Sequence, residues 1–317
     1  MGHVTFVHGI GNKPERAALL EQWRVALLDD DGVDLEELDA TASMVYWADL
    51  LYEAPAPTGA ATESTILELE QGTDPEAADL AWLNEVPDHE RAFVEQLAKD
   101  VGFAQVSADA GEGDDPITPG TPLEAVPLPA WLKRRLMRVL LRDVHHYLYD
   151  TEFSPRAGEL FHIRQEVRSR ALAALREGAD SSPPHIVVGH SLGTVIAYDV
   201  LTGVEDAPHV DALLTVGSPL GISEVQDRLA PPWTRANGWP SRLGDGPWCN
   251  IFDLLDPVCG GFDRVIGGDY RRDGLVLVQD VSVSNTGSWR HAIGKYLGQA
   301  PLRDWLRTVL DDRSRAS

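Results

Sequence analysis

The sequence predicts an α/β fold: a mostly parallel sheet of about six strands with helices on both faces. Three observations predict it. Six short apolar runs each close on glycine or a polar turn, as strands buried on both faces of a parallel sheet do. Helix-period segments lie between these runs, and strands alternating with helices wind a doubly covered sheet. The chain has 317 residues, 43% of them hydrophobic, enough for one large domain with insertions.

The first strand is HVTFV, His3–Val7, which runs into His8-Gly9. Pro14–Leu28 follows as a helix, with proline at its entrance and Ala17, Leu20, Val25 and Leu28 at helical spacing. SMVYW, Ser43–Trp47, is the second strand. After a long interruption come a helix over Arg156–Glu177, a strand at His185–Val188 and a helix over Leu192–Thr202. The last strands are Ala212–Val216, Cys249–Phe252 and the long run Leu275–Val283, LVLVQDVSV.

The interruption divides the chain. Residues 1–51 and 151–317 form the core, and 52–150 is an acidic, partly loop-like insertion that reads as a helical cap or lid. From Leu51 to Pro127 there are 17 Asp and Glu against Arg91 and Lys99, a net of −15 out of −23 for the whole chain. Ser107–Pro129 reads as loop, and Ala78–Val101 and Ala130–Tyr149 as helices. Ala130–Tyr149 is amphipathic, with Leu132, Leu136, Val139, Leu140 and Tyr147 on one face and Lys133, Arg134, Arg138 and Arg142 elsewhere. It reads as a surface helix packed on the core by that face, with its basic side near the acidic insertion. The sharper alternative is an interfacial lid that touches lipid transiently.

A net charge of −23 argues against binding nucleic acid or an anionic membrane through the field of the whole protein. No stretch approaches the ~18 apolar residues of a spanning helix. The first residues lack the basic and apolar regions of a secretory signal, so a cytoplasmic location is the expectation. No pattern specifies an oligomeric state. The two cysteines, Cys249 and Cys259, are expected as free buried thiols, with a bridge between them the alternative. No cysteine or histidine cluster has metal spacing; His145 and His146 with His162 make no ligand set and read as packing or solvent residues.

The chemistry concentrates in HIVVGHSLGTVIAYDV, His185–Val200. Gly-x-Ser-x-Gly alone is a weak signal. Here an apolar strand enters it and an apolar helix leaves it, and a serine on such a turn is held strained with its hydroxyl above the sheet edge. Side chains at 189 and 193 would collide with neighbouring backbone, which gives both glycines a steric reason. Ser191 is therefore the candidate nucleophile. The Leu192 N–H at the helix start can donate to a developing oxyanion, and the Ile10 N–H, on the loop after the first strand, is the second donor.

A serine nucleophile needs a base, and the base an orienting acid. On a strand–turn–helix site the acid and then the histidine follow the serine in the chain. Two histidines remain downstream. His209 precedes a strand and belongs to the wrong end of the sheet; His291 follows the last strand and is the candidate base. Asp256, after Cys249–Phe252 and stiffened by Pro257, is the candidate acid, with Asp253 and then Asp263 as competitors. His8, His190 and Ser218 are tentative substrate contacts. Each has a plainer reading: His8 orients its loop, His190 points off the line of attack, Ser218 makes a turn. Trp233, Trp239 and Trp248 line an apolar pocket or simply pack.

The motifs FVHGIG, GHSLGTVIAYD, TVGSPLG, NIFDLLDPV and SWRHAIGKY resemble the α/β-hydrolase superfamily, and within it the lipase/esterase-like serine hydrolases. The resemblance covers about two-thirds of the chain and excludes the insertion. It implies Ser191, Asp256 and His291 as a triad, the Ile10 and Leu192 amides as oxyanion hole, no cofactor, and a small-molecule or lipid ester as substrate. It also implies a reduced sheet, because the leading antiparallel strands of the fuller form are missing. A peptidase or thioesterase of the same fold, or an inactive fold serving as a binding module, are the alternatives.

Overall fold

A computed structural model describes residues 2–57, 80–101, 130–181, 183–229, 237–259, 265–286 and 289–314. Asp263, Trp233 and the loop expected at Ser107–Pro129 lie outside them. The main sheet contains β1 (Gly2–Val7), β2 (Ala40–Val45), β5 (His185–His190), β6 (Ala212–Val216), β7 (Trp248–Asp253) and β8 (Gln279–Val283). They run in the order β2-β1-β5-β6-β7-β8, and every pairing is parallel. The six-stranded α/β architecture expected from the sequence is thus present. A small antiparallel pair, β3 (Glu152–Phe153) with β4 (Phe161–His162), stands apart.

The strands bury alternate residues on opposite faces, as a pleated strand must. Val4, Phe6, Ile186, Val188 and Leu214 join a core with helices α1 (Arg16–Leu28), α7 (Ile293–Leu297) and α8 (Ala300–Ser314). Val7, Val187 and Leu213 join a second, larger core on the other face. That core contains α2 (Asp88–Asp100), the latter part of α3 (Ala130–Leu148), α4 (Ile163–Ala179), α5 (Leu192–Gly203) and the short α6 (Ser223–Gln226).

Three sequence expectations need correction. Ala130–Tyr149 packs on the core as expected, but over its second half burial extends beyond the apolar face to the side that carries Arg142. Met137, Leu140, Leu141, Val144, Tyr147 and Leu148 are buried in the larger core, and Arg142, Asp143 and His145 are buried with them. The basic residues were the misleading signal, because Arg142 is neutralised by its own neighbour Asp143, with Nη2 to Oδ1 at 3.0 Å. The strand read over Leu275–Val283 begins only at Gln279. Its partner β7 pairs from Cys249, opposite Gln279; upstream, Leu275 bridges Arg272 across a tight turn instead of extending the sheet, and Leu275 and Val276 stay 61% and 57% exposed. The helix read over Arg156–Glu177 starts at Ile163, because the β3–β4 hairpin and its turn occupy the residues before it. Cys249 and Cys259 are both buried thiols and no disulfide joins them.

One buried carboxylate ties three helices of the larger core together. Asp199 on α5 accepts from Arg164 Nη2 at 2.5 Å and Arg168 Nε at 2.7 Å, both on α4, and from the Tyr147 hydroxyl of α3 at 2.7 Å. Burial alone would push this carboxyl up, but the two guanidiniums outweigh it and hold it below its usual range. Among the described residues no helix is long and apolar enough to cross a membrane.

Several histidines are kept neutral by the same cores. Burial, chiefly, depresses His185 to about 4 and His8 and His146 to about 3. The unfolded chain binds a proton at each below pH 6.5, whereas the native state does not, so stability is full above 6.5 and falls toward pH 4. Each histidine should contribute a slope of about 1.4 kcal/mol per pH unit across that window. Urea midpoints measured from pH 7.5 to 4.5 are expected to fall steadily; a flat profile would contradict the burial of these imidazoles in neutral form.

Candidate active site

The candidate residues gather at the carboxyl ends of the parallel strands. The loop after β1 carries His8, Gly9 and Ile10, and Ser191 directly follows β5, the strand beside it. Gly217 and Ser218 follow β6, Asp253 closes β7 with Asp256 just beyond, and His291 follows β8. The chain reverses its direction of winding between β1 and β5, and the crevice at such a switch point is where α/β sheets bind ligands. His209 precedes β6 and so lies at the other end of the sheet.

Ser191 sits between β5 and α5 with φ 55° and ψ −130°. That left-handed conformation costs a non-glycine residue about 1–3 kcal/mol, so the surroundings must hold it. The Ser191 N–H donates to the Val216 carbonyl at 3.0 Å. Its own carbonyl accepts from the Thr194 N–H at 2.9 Å and the Thr194 hydroxyl at 2.7 Å. The steric reading of the flanking glycines holds: a Cβ on Gly193 would run into the Val7 carbonyl oxygen, and one on Gly189 would meet the backbone of Gly193 and Thr194.

His291 is fixed from three sides. Its Nδ1 donates to Asp256 Oδ2 at 2.8 Å. Its carbonyl accepts from His190 Nε2 at 2.8 Å, and the two rings lie 4.7 Å apart. The loop carrying it is pinned by Asn285, whose side-chain amide donates to the Arg290 carbonyl at 2.6 Å. The Ser191 hydroxyl and His291 Nε2 are both buried, and neither has a hydrogen-bond partner among the described residues. His291 stands beside the backbone that carries the serine, because His190 precedes Ser191 and the open face of Gly217 looks onto the His291 ring.

Asp256 is buried and well supplied with donors. Besides His291 it accepts from the Tyr296 hydroxyl at 2.7 Å and the Val258 N–H at 2.9 Å. Burial pushes the carboxyl up; the His291 charge and the three hydrogen bonds outweigh it and hold it at about 2. Asp253, the competitor, faces other partners: the Leu255 N–H at 2.7 Å, the Asn285 N–H at 2.6 Å and Arg290 Nη1 at 3.0 Å. It anchors the loop that presents His291 and does not bond the imidazole.

The tentative substrate contacts are engaged with the protein. His8 Nδ1 donates to the Gly9 carbonyl at 2.8 Å, its Nε2 accepts from the Trp47 N–H at 3.1 Å, and its ring stacks on Trp47. His190 holds the His291 backbone, and burial followed by the His291 charge keeps its own pKa far below the usual value. Ser218 meets the Thr194 hydroxyl at 2.7 Å and accepts from the Leu220 N–H at 3.2 Å. Trp248 is buried among Tyr198, Tyr270 and Trp239. Among the described residues no group of three or more metal-binding side chains occurs.

Tyr296 was not foreseen. It lies on α7, five residues past His291, and its buried hydroxyl also accepts from the Asp253 N–H at 3.0 Å. One side chain thereby links the carboxylate bonded to His291 with the backbone of Asp253, whose own carboxylate anchors the His291 loop.

No family model and no curated protein matches the sequence. Solved structures that overlap it weakly include the following two. A protein of Pectobacterium atrosepticum described as a 'putative YdeN-like hydrolase' is 16% identical, with a TM-score of 0.30, over 45% of this chain and 69% of that one. An uncharacterized protein of Pseudomonas aeruginosa is 10% identical, with a TM-score of 0.29, over 94% of this chain and 46% of that one.

Tyr296→Phe removes one donor from Asp256 and one acceptor from the Asp253 N–H. Leaving such buried groups unsatisfied typically costs about 1–3 kcal/mol. The variant is expected to unfold at lower urea concentration, with the Asp256 carboxyl titrating above its native position by carbon NMR. An unmoved carboxyl titration would show that the hydroxyl does not help hold the charge.

Proposed function

We propose that the chain is a serine hydrolase of the α/β-hydrolase type that cleaves a carboxylic ester through an acyl-enzyme on Ser191. One observation carries this reading. A histidine bonded through Nδ1 to a buried carboxylate keeps its Nε2 unpartnered, beside a strained serine whose hydroxyl is also unpartnered. Buried polar atoms without partners are uncommon, and a nucleophile and its base are among the groups that have reason to be so. A serine–imidazole hydrogen bond is absent from the structure, and such bonds often tighten only with substrate in place.

In the proposed reaction His291 Nε2 takes the Ser191 proton while the oxygen attacks the acyl carbon. Asp256, ionised at neutral pH, stabilises the imidazolium and keeps Nδ1 as the protonated nitrogen. The Ile10 and Leu192 amides receive the negative charge on the former carbonyl oxygen. The Leu192 N–H opens α5 and so has no acceptor within the helix, and the Ile10 N–H makes no main-chain bond among the described residues. Collapse of the tetrahedral adduct expels the alcohol, which takes its proton from His291. Water then attacks the acyl-enzyme, with the same groups in the same roles.

The reading is tested on two fronts. A fluorophosphonate probe should label the wild type and not Ser191→Ala. Removal of the nucleophile is expected to lower kcat on nitrophenyl esters by about 10⁴–10⁶-fold. A folded wild type that takes no label would point to a binding module. A chain-length series of nitrophenyl esters run beside aminoacyl amides and thioesters would assign the subclass, and faster amide or thioester cleavage would replace the ester assignment.

A further inference from the structure

The insertion contributes a residue to the proposed chemistry. Asp143, on the core half of α3, is fully buried. Its Oδ2 accepts from the Gly11 N–H at 2.8 Å and the Tyr52 hydroxyl at 3.1 Å, and its Oδ1 from Arg142 Nε at 3.1 Å and Nη2 at 3.0 Å. Taking a carboxylate and a guanidinium out of water is costly, and hydrophobic side chains could fill such a site at least as stably. The pair therefore calls for a role other than stability, and the bond to Gly11 supplies one.

Gly11 N belongs to the peptide unit that begins with the Ile10 carbonyl. Lys13 Nζ donates to that carbonyl at 2.6 Å. The Ile10–Gly11 peptide is thus gripped at both of its polar atoms, by a cation at the oxygen and an anion at the nitrogen. The preceding peptide, Gly9–Ile10, is gripped at its carbonyl by His8 Nδ1. In a planar trans peptide the N–H points opposite to the C=O, so fixing the Gly9 carbonyl and the following peptide fixes where the Ile10 N–H points. The loop is pressed onto the serine: a Cβ on Gly9 would lie 2.5 Å from the Ser191 Cβ and 3.2 Å from its Oγ.

We infer that Asp143 is a positioning residue for the oxyanion hole. With Lys13 as its counterpart it clamps the Ile10–Gly11 peptide, so that the Ile10 N–H is held in place before charge develops on the substrate. The inference rests on the ester-hydrolase reading for its catalytic part and on the geometry of Gly11 for the rest. An oxyanion donor acts in the transition state and not on the ground-state ester, so loosening it lowers kcat and leaves KM unchanged.

The test compares Asp143→Ala, Asp143→Asn and Lys13→Met with wild type on a nitrophenyl ester. A short alkyl boronic acid serves as tetrahedral analogue, and amide hydrogen exchange is followed across residues 8–13. Full loss of one oxyanion donor costs about 10²–10³ in rate. Asp143→Ala is expected to lose about 10–10²-fold in kcat at constant KM, to bind the boronic acid weaker by the same factor, and to exchange faster at 8–13. Asp143→Asn, which keeps an acceptor for the Gly11 N–H, should retain most of kcat. Lys13→Met, at a half-buried position, should show the same split, and it decides the matter if Asp143→Ala does not fold. Wild-type kcat and boronic acid affinity in a folded Asp143→Ala, or a loss carried by KM alone, would overturn the inference. A wild type inert to esters and fluorophosphonate sinks the hydrolase reading instead; the clamp then stands or falls on exchange at 8–13, which must quicken in Asp143→Ala.

Discussion

The carboxyl edge of this sheet depends on one close approach. Helix α5 leaves β5 so near to β1 that position 193 has room only for hydrogen against the Val7 and His8 carbonyls. That contact forces the turn at Ser191 into its left-handed conformation and brings the His8–Gly11 loop against the serine. Neither consequence would survive a looser fit. A helix standing further off would relax the turn, and the loop would lose the wall it leans on. The strain is held by ordinary means: the Ser191 N–H on Val216, the Ser191 carbonyl on Thr194, and Ser218 braced behind Thr194.

Around this contact the protein uses buried polar groups to hold backbone. Asp199 binds α3, α4 and α5 to one another, Asp143 binds α3 to the loop after β1, and Asp253 binds the loop of His291 to the end of β7. Each carboxylate is filled with donors, which is the condition under which a buried charge is tolerated. The acidic composition thus has two parts. Seventeen of the 50 acidic residues cluster between Leu51 and Pro127, and a few carboxylates elsewhere sit inside, each at a junction between elements.

The sheet and the serine turn were legible because their signals are local. Strand runs ending in glycine, and an apolar strand and helix around Gly-x-Ser-x-Gly, constrain backbone within a dozen residues. His291 and Asp256 could be chosen because parallel strands put every following loop at the same edge, so chain order stands in for spatial proximity. Tyr296, Asn285 and Asp143 were not legible as parts of the site. Each acts on a group far off in the chain or across a loop, and no spacing announces such a bond. The helix carrying Asp143 misled because Arg142 made it look like a surface face, whereas the two side chains neutralise each other. The strand at Leu275 was read too long because β-propensity says nothing about whether a partner strand extends that far.

Three imidazoles stand around Ser191, and their hydrogen bonds sort their roles. His8 uses both ring nitrogens, one on the Gly9 carbonyl and one on the Trp47 N–H, and burial holds it neutral. It has no nitrogen left for a proton transfer. His190 gives Nε2 to the carbonyl of His291, and its burial beside that ring disfavours a second charge. His291 differs from both: a carboxylate held at about 2 faces its Nδ1, and its Nε2 is unpartnered. Only an imidazole with an anion behind it can become a cation in a buried site at modest cost. The two neutral rings then gain a purpose in the proposed chemistry, since one aims the Ile10 peptide and the other holds the backbone of the base.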